Sequence, residues 1–345
     1  MPAAPTISTL LTALPKAELH LHLEGSIEPA TVVELAARHG VSLTAPEVAA
    51  RYAPGDFAQF IEAFKWVTSF LREPADYALI LERLAESLVH QNVVYAEITL
   101  SVGVMLLRKQ DPAANLAALR QAARKFPAVR VAWIFDCVRQ FGPAAAMQVA
   151  EHAAALRTEG VIAFGMGGDE RSLPATEFRT AYDFAASARL HRLVHAGETG
   201  DPAAISDAIE LLGAERIGHG IAAMRSERLM NSLAESGVCL EVCPTSNLRT
   251  GALARQRGTP SATESEHPLP LFLRRGLRVA LGSDDPAMFE TTLSGEYELA
   301  SRIGLSTTDL VHVARTGFEC AFVDASEKQH LLAIFDSKRK SAGLI

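Results

Sequence analysis

Glu18-Leu19-His20-Leu21-His22-Leu23 is the first of eight short runs from which the fold is predicted, and it indicates a buried strand that ends in two histidines. Seven further short apolar or β-branched runs follow it, and amphipathic segments with helix start and stop signals lie between them. Asp201-Pro202, for example, opens a helix that ends at Gly213, and His267-Pro268 opens one that ends at Gly276. The eight runs are residues 18–23, 93–100, 129–138, 161–165, 192–195, 216–218, 238–242 and 278–282.

This α/β alternation predicts parallel strand pairing, and eight βα units close into a (β/α)8 (TIM) barrel rather than an open sheet. The first connection, residues 25–91, is much longer than usual and predicts a helical insertion after strand 1. Residues 296–340 predict extra C-terminal helices that complete the outer layer. We therefore expect residues 1–345 to form a single barrel domain.

The long insertion carries four aromatic residues, Phe57, Phe60, Phe64 and Trp66. They either cap the barrel mouth or only pack the inserted helices against one another. Aromatic stripes mostly lie in cores, which favours the second interpretation.

The composition excludes several classes of protein. With 48% hydrophobic and 21% charged residues among 345, the chain can bury a large core. The net charge of −7, and basic runs no longer than Lys338-Arg339-Lys340, argue against nucleic acid and favour a small-molecule partner. No stretch of ~18 apolar residues occurs and Met1–Thr12 has no leader pattern, so we expect no membrane partner and a cytoplasmic location.

Histidines and acids cluster where the predicted strands end. A period of two puts His20 and His22 on one face of strand 1, and His195 ends strand 5. Asp284 follows strand 8, and in such barrels the carboxyl ends of the strands meet at the active site. We predict that these three imidazoles and one carboxylate bind Zn²⁺ and leave a position for water. Strand 4 has no Lys at its end to form a bridging carboxylate, which favours one metal.

Further polar residues follow the same strands and predict proton transfer. A bound metal makes water a nucleophile near neutral pH, and His219 or Asp284 is suited to accept the water proton. Glu198, just beyond a ligand, is suited to carry a proton to a substrate nitrogen, while Asp285 is expected to point to the substrate. Taken singly, Glu198 and Asp285 are more typical of solvated loop acids or helix caps.

Six motifs in order carry a family resemblance: the chain resembles the adenosine deaminase family of the amidohydrolase superfamily, from about Pro15 to its end. The motifs are Pro15-Lys16-Ala17-Glu18-Leu19-His20-Leu21-His22-Leu23-Glu24-Gly25, Gly168-Asp169-Glu170, His195-Ala196-Gly197-Glu198, Gly218-His219-Gly220, Cys243-Pro244-Thr245-Ser246-Asn247 and Ser283-Asp284-Asp285-Pro286-Ala287. The segment from Val131 to Gly142 is similar to a bacterial branch that includes aminodeoxyfutalosine deaminases.

The resemblance implies a hydrolase that removes the 6-amino group of a purine nucleoside as ammonia and leaves an inosine-type product. It implies one zinc per chain, with catalytic roles for Glu198, His219 and Asp284: Glu198 protonates ring N1, and His219 orients and deprotonates the water. Asp285 contacts N7 and the Gly168 backbone contacts N3. The predicted ligands are His20, His22, His195 and Asp284, and the predicted substrate-binding residues are His22, Glu24, Gly168 and Asp285.

Two positions depart from the family pattern and leave the substrate open. Family members usually carry Asp where this chain has Glu24, near the sugar, and commonly Asp where it has Gly165. Adenosine is the first candidate substrate, and aminodeoxyfutalosine is the close alternative. Adenine is the third candidate, because bacterial adenine deaminases also carry Glu at the position of Glu24. A non-catalytic metal-binding barrel is the competing class, although this chain keeps Glu198 and every ligand. A G-x-S-x-G nucleophile elbow and a complete dinucleotide or P-loop motif are absent from the sequence.

Overall fold

The eight predicted strands form one parallel sheet, in which each strand pairs with the next along the chain. A computed structural model describes residues 7–53 and 55–341. Residues 1–6, part of the segment examined for a leader, and 342–345 lie outside the described residues. The strands are β1 Lys16–His22, β2 Val93–Leu100, β3 Arg130–Val138, β4 Val161–Gly167, β5 His191–Ala196, β6 Arg216–His219, β7 Cys239–Val242 and β8 Val279–Leu281.

The sheet closes between its first and last strands, which confirms the predicted (β/α)8 barrel. Asp284, three residues beyond β8, forms a parallel bridge with Leu21 of β1. Its backbone N–H donates to the His20 carbonyl at 3.0 Å, and its carbonyl accepts from the His22 N–H at 2.8 Å. The seam of the barrel therefore runs directly through three predicted site residues.

The residue pattern of β1 explains why this strand is buried on both faces. Leu19 and Leu21 are buried at 1% and 0% exposure, on the face toward the surrounding helices. Glu18, His20 and His22 alternate with them and point into the barrel, where Glu18 hydrogen bonds Ser283 and His20 hydrogen bonds Glu241. A polar interior face on a buried strand requires partners for every polar group, and this barrel supplies them near its carboxyl end.

Helices surround the sheet. Four of them, α2 to α5, form the predicted insertion after β1, and three follow β8 beyond the last barrel strand, as predicted. Together with these, the helices are α1 Ile7–Ala13, α2 Pro29–Arg38, α3 Ala45–Arg51, α4 Phe57–Thr68, α5 Pro74–His90, α6 Val102–Leu107, α7 Pro112–Ala123, α8 Gly142–Ala155, α9 Arg179–Ser187, α10 Pro202–Glu210, α11 Glu227–Ser236, α12 Pro244–Arg249, α13 Ala252–Arg257, α14 Leu269–Arg274, α15 Leu293–Arg302, α16 Thr307–Cys320 and α17 Ala325–Ser341.

The aromatic residues of α4 correct one interpretation. Phe57, Phe60 and Phe64 line the cavity above the barrel rather than only packing helices together. Phe60 contacts Phe289, which follows β8, with ring centroids 5.0 Å apart. Trp66 alone fits the packing interpretation, since it stacks edge-on against Phe70 and beneath Arg51. The insertion therefore covers one side of the barrel mouth, because the helix that carries these rings runs across it.

Within residues 7–53 and 55–341, no helix combines the length and the apolar character needed to cross a bilayer.

Candidate active site

Strands β1, β5 and β8 bring the predicted metal ligands together at one end of the barrel. His22 Nε2 lies 3.1 Å from His195 Nε2. Both His20 Nε2 and His22 Nε2 lie 3.3 Å from Asp284 Oδ1. All four side chains are buried. The structure therefore brings together the four residues that the sequence places at strand ends.

In His20 and His195 the Nδ1 atom, which we call the outer nitrogen, is hydrogen bonded to a protein group. Their Nε2 atoms, the inner nitrogens, face the cluster. His20 Nδ1 donates to Glu241 Oε2 at 2.7 Å, and His195 Nδ1 donates to the Met166 carbonyl at 3.0 Å. Burial acts to raise the pKa of Glu241, but the Arg216 guanidinium and His20 outweigh it and hold that pKa below its ordinary value. Glu241 therefore stays ionised and fixes the His20 ring.

These inner nitrogens fit a metal ion. His20 Nε2 is buried without a hydrogen-bond partner, although Asp284 lies nearby. A neutral His195 whose proton is on Nδ1 presents a lone pair at Nε2, 3.1 Å from His22 Nε2, and a shared cation satisfies both nitrogens. Imidazole nitrogens with one carboxylate oxygen are a donor set suited to zinc. By distance alone, the ligand atoms of His20, His195, His219 and Asp284 all lie within 4.8 Å of one another, so His22 and His219 compete for the fourth position.

Glu198 is held beside this cluster by a carboxylate from the preceding βα loop. Glu170 accepts the backbone N–H groups of Gly197 at 2.7 Å and of Glu198 and Thr199 at 2.8 Å. Burial, with the negative charge of Asp284 as the next cause, raises the pKa of Glu198 to about 8. Glu198 is therefore a protonated acid at neutral pH, which is the form that donates a proton.

His219 ends β6 in a left-handed conformation, with a φ of 61°. Its Nε2 lies 3.7 Å from Glu198 Oε2 and 3.9 Å from Asp284 Oδ2. Its other nitrogen, Nδ1, lies 3.2 Å from the Asn247 amide nitrogen. Backbone strain of this kind persists where the surroundings impose it, and here it turns the ring toward the two acids.

A cavity of about 980 Å³, including its opening to solvent, lies above the cluster. His22, Gly168, Glu198 and Asp285 line it, as expected for substrate-contacting groups. Asp285 needs Gly25 beneath it, because a Cβ there would lie 1.8 Å from Asp285 Oδ1. That oxygen is buried without a hydrogen-bond partner, so a polar group of a ligand is what would complete it.

Glu24 lies behind the cavity wall, on the 3₁₀ turn that follows β1. Its side chain is 2% exposed, and Oε1 accepts the backbone N–H of Ser101, a cavity-lining residue, at 3.0 Å. Oε2 is buried without a partner, and burial raises the pKa of Glu24 to about 7. A contact between Glu24 and the substrate stays a prediction, and Ser101 is the residue that stands between them.

Sequence reasoning missed Asp136, a buried carboxyl on β3 that lines the cavity. It pairs with Gly165 of β4, and a Cβ at Gly165 would lie 2.5 Å from Asp136 Oδ1. This chain therefore places a carboxyl from β3 in the space that an Asp at position 165 would need. The available signal was a single acid within an otherwise largely apolar strand. The roles of Glu170 and Glu241 were also missed, because both depend on partners far away in the sequence.

The fold and the site together define a class of protein. An amidohydrolase-type hydrolase has its active site at the carboxyl ends of (β/α)8 strands. Its site combines imidazoles and a carboxylate suited to a metal with a neighbouring protonated acid, as found here. The sequence profile of the family described as adenosine deaminase matches residues 15–338, so the chain belongs to the adenosine deaminase family. It is accordingly a deaminase, a hydrolase that acts on C–N bonds.

Individual relatives differ in the substrate that their names give. The chain is 38% identical over 340 residues to an aminodeoxyfutalosine deaminase of Streptomyces coelicolor, covering 96% of this chain and 86% of that protein. It is 34% identical over 325 residues to an adenine deaminase of Agrobacterium fabrum, covering 92% and 97%. A crystal structure of an amidohydrolase from Burkholderia ambifaria with bound Zn superposes with a TM-score of 0.85 and 26% identity, covering 99% and 96%.

Proposed function

We propose that this protein is a zinc-dependent deaminase that hydrolyses the 6-amino group of adenosine or an adenosine-like nucleoside. The observation that carries the proposal is Glu198, a buried acid beside a cluster suited to a metal, whose loop is held by three backbone N–H groups that donate to Glu170. The zinc in the Burkholderia ambifaria relative supports the choice of metal. We further propose one metal per chain and a single domain over residues 1–345.

Four residues would hold the zinc, namely His20, His22, His195 and Asp284. When bound, the metal lowers the pKa of water so that a nucleophile is available near neutral pH. The protein itself supplies the remaining chemistry. Glu198 delivers its proton to ring N1, which makes C6 electrophilic, and the water oxygen adds to C6. The water gives one proton to His219 or Asp284 as it adds, and that proton passes to the 6-amino group, so that the C6–N bond breaks and ammonia leaves. The remaining hydroxyl proton returns to Glu198, which leaves a C6=O product protonated on N1 and restores the acid.

The other cavity-lining groups orient the purine. Burial raises the pKa of Asp285 well above its ordinary value, so the protonated acid is placed to donate to N7, and the Gly168 backbone to N3, as in the family that the motifs resemble. Gly168 has a φ of 97°, and Gln140 fills the space where a side chain would stand. Position 168 therefore requires glycine, because its φ is left-handed and a side chain there would collide with Gln140.

The substituent at C5′ is the point on which the candidate substrates differ. The α4 side of the cavity presents Phe57, Phe60, Ile61 and Phe64, and among the described lining residues Lys65 is the one ammonium or guanidinium group. An apolar wall suits an uncharged or aromatic substituent better than a phosphate. This observation, with the 38% identical relative, supports aminodeoxyfutalosine as the second candidate.

A substrate panel tests the proposal directly. Ammonia release is measured for adenine, adenosine, deoxyadenosine, methylthioadenosine and aminodeoxyfutalosine, alongside metal content. We expect a nucleoside to exceed adenine by more than ~100-fold in kcat/KM, since a site built for sugar hydroxyls rejects a ligand that lacks them. Adenine as the best substrate would assign the protein to the adenine deaminases, and no turnover of any 6-aminopurine would overturn the proposal.

A further inference from the structure

Three buried side chains connect a backbone amide to the reacting centre. His267 precedes α14, Asn247 lies in α12 and His219 ends β6, and their exposures are 4%, 0% and 1%. The Leu269 N–H lies 3.2 Å from His267 Nδ1, and His267 Nε2 lies 3.3 Å from Asn247 Oδ1. Asn247 Nδ2 lies 3.2 Å from His219 Nδ1. We call His267 and Asn247 the relay pair.

The direction of every hydrogen bond in this chain follows from its first member. A backbone N–H can only donate, so His267 Nδ1 accepts, and a neutral His267 carries its proton on Nε2. Burial lowers the pKa of His267 to about 3, which keeps the ring neutral. His267 Nε2 therefore donates to Asn247, which fixes the carbonyl oxygen of the amide on that side. The amide nitrogen then faces His219 Nδ1 and donates to it.

We infer that the relay pair holds His219 as an imidazole protonated on Nε2, so that His219 faces Glu198 and Asp284 as a hydrogen-bond donor. An imidazole that accepts at Nδ1 has its proton on the other nitrogen. His219 Nε2 then has no lone pair, and His219 is neither a metal ligand nor the group that accepts the proton of water.

Two alternatives are resolved by this inference. Distance alone allows His219 or His22 as the fourth ligand, and a protonated Nε2 leaves the position to His22. The catalytic consequence rests on the proposed function. Of the two groups predicted to accept the water proton, His219 would instead donate a hydrogen bond to the attacking oxygen, and Asp284 would be the acceptor. Asn247 and His267 are positioning residues, since they act through His219.

The first test observes the ring directly. In the full chain labelled with ¹⁵N-histidine, the His219 signals are identified by their loss in His219→Gln, and the protonated nitrogen is identified from the ¹⁵N shifts. We expect a proton on Nε2 and a bare Nδ1 in the parent protein. A proton on Nδ1, alone or together with Nε2, overturns the inference. This measurement needs no substrate, so it stays decisive if the proposed function fails.

The second test compares two substitutions at His267. His267→Gln keeps an N–H donor for Asn247, whereas His267→Leu removes it at similar size. We expect His267→Leu to lower kcat by about 10- to 100-fold with little change in KM, the usual effect of losing a partner behind a reactive group. His267→Gln should retain most of kcat and the Nε2-protonated His219. Parental kcat in a folded His267→Leu variant, or metal loss in His219→Gln, overturns the inference.

Discussion

At the scale of single residues, the proposed chemistry depends on a carboxyl group that stays protonated at neutral pH. Burial raises the pKa of Glu198 from 4.5 to about 8. The protonated form therefore dominates at pH 7 and is lost as the pH rises through about 8. We expect kcat to fall above pH 8 for this reason, because the acid that protonates the ring has then become a carboxylate.

Substitution of Glu198 tests the same role without changing the cluster. Glu198→Gln keeps the size of the side chain and removes the titrating proton. We expect kcat to fall by ~100-fold or more, the usual contribution of a general acid, while metal content stays at the parental level. Kinetics and metal analysis of one sample check both statements. Near-parental turnover in the metal-replete variant would contradict the role of Glu198.

The imidazole at the end of β5 is predicted to hold the metal, and the same strand offers a matched control. His195 faces the cluster, whereas His191 begins β5 half-exposed and pairs with Glu215 at 2.8 Å. We expect His195→Ala to lose the metal and His191→Ala to keep about one metal ion per chain, because only His195 offers a nitrogen to the cluster. Equal metal content in the two variants would refute the ligand assignment.

At the scale of elements, the loop after β4 positions the loop after β5. Three N–H groups from Gly197 to Thr199 converge on the single carboxylate of Glu170. Glu170→Ala leaves these buried donors without an acceptor, and each such group costs about 1–3 kcal/mol. We expect a loss of about 3 kcal/mol or more in the free energy of unfolding, and a lower kcat because Glu198 is no longer held.

Glu170→Gln is the control for that prediction, since its amide oxygen still accepts part of the same hydrogen bonds. Urea unfolding of the two variants measures the difference. If Glu170→Ala were as stable as Glu170→Gln, the three hydrogen bonds would not contribute as the structure indicates.

The pairing of β3 with β4 gives a second prediction at this scale. A methyl group at Gly165 would meet Asp136 Oδ1 at 2.5 Å, so one of the two side chains must move. We expect Gly165→Ala to destabilise the protein by about 1–3 kcal/mol, the range for overpacking, and to do so less in an Asp136→Ala background. A double-mutant cycle in urea measures the coupling. Strict additivity would show that Asp136 does not occupy the space above Gly165.

The sequence predicted elements better than it predicted their contacts. The run 161–165 lies within β4, which extends to Gly167, and the helices opened by Asp201 and near His267 begin within two residues of the expected positions. The hydrophobic period and the helix start signals depend only on residues that are close in the sequence, so they can be recognised without knowledge of the fold. The His267–Asn247–His219 chain and the Asp136–Gly165 pairing join separate βα units. They could not be predicted, because the orientation of side chains across strands is set only when the barrel closes.

At the scale of the whole molecule, the predicted metal ligands lie at the point where the barrel closes. His20 and His22 lie on the first strand and Asp284 follows the last, and the backbone hydrogen bonds between them form the seam. A metal bound by all three residues would connect the two ends of the sheet, which are more than 260 positions apart in the sequence. Such a ligand, bound only by the folded state, stabilises that state through its own binding free energy.

Removal of the metal is therefore expected to weaken the seam more than the rest of the barrel. At a free metal concentration 1,000 times the dissociation constant, the binding contribution is about 4 kcal/mol, so chelation should lower Tm by several degrees. Hydrogen exchange should accelerate at the backbone N–H groups of His22 and Asp284, which bridge the seam, and much less at Leu100 in the β2–β3 pairing. His195→Ala, which removes a predicted ligand outside the seam, should reproduce the effect without a chelator. Uniform acceleration around the barrel, or an unchanged Tm after verified metal loss, would show that the backbone alone closes it.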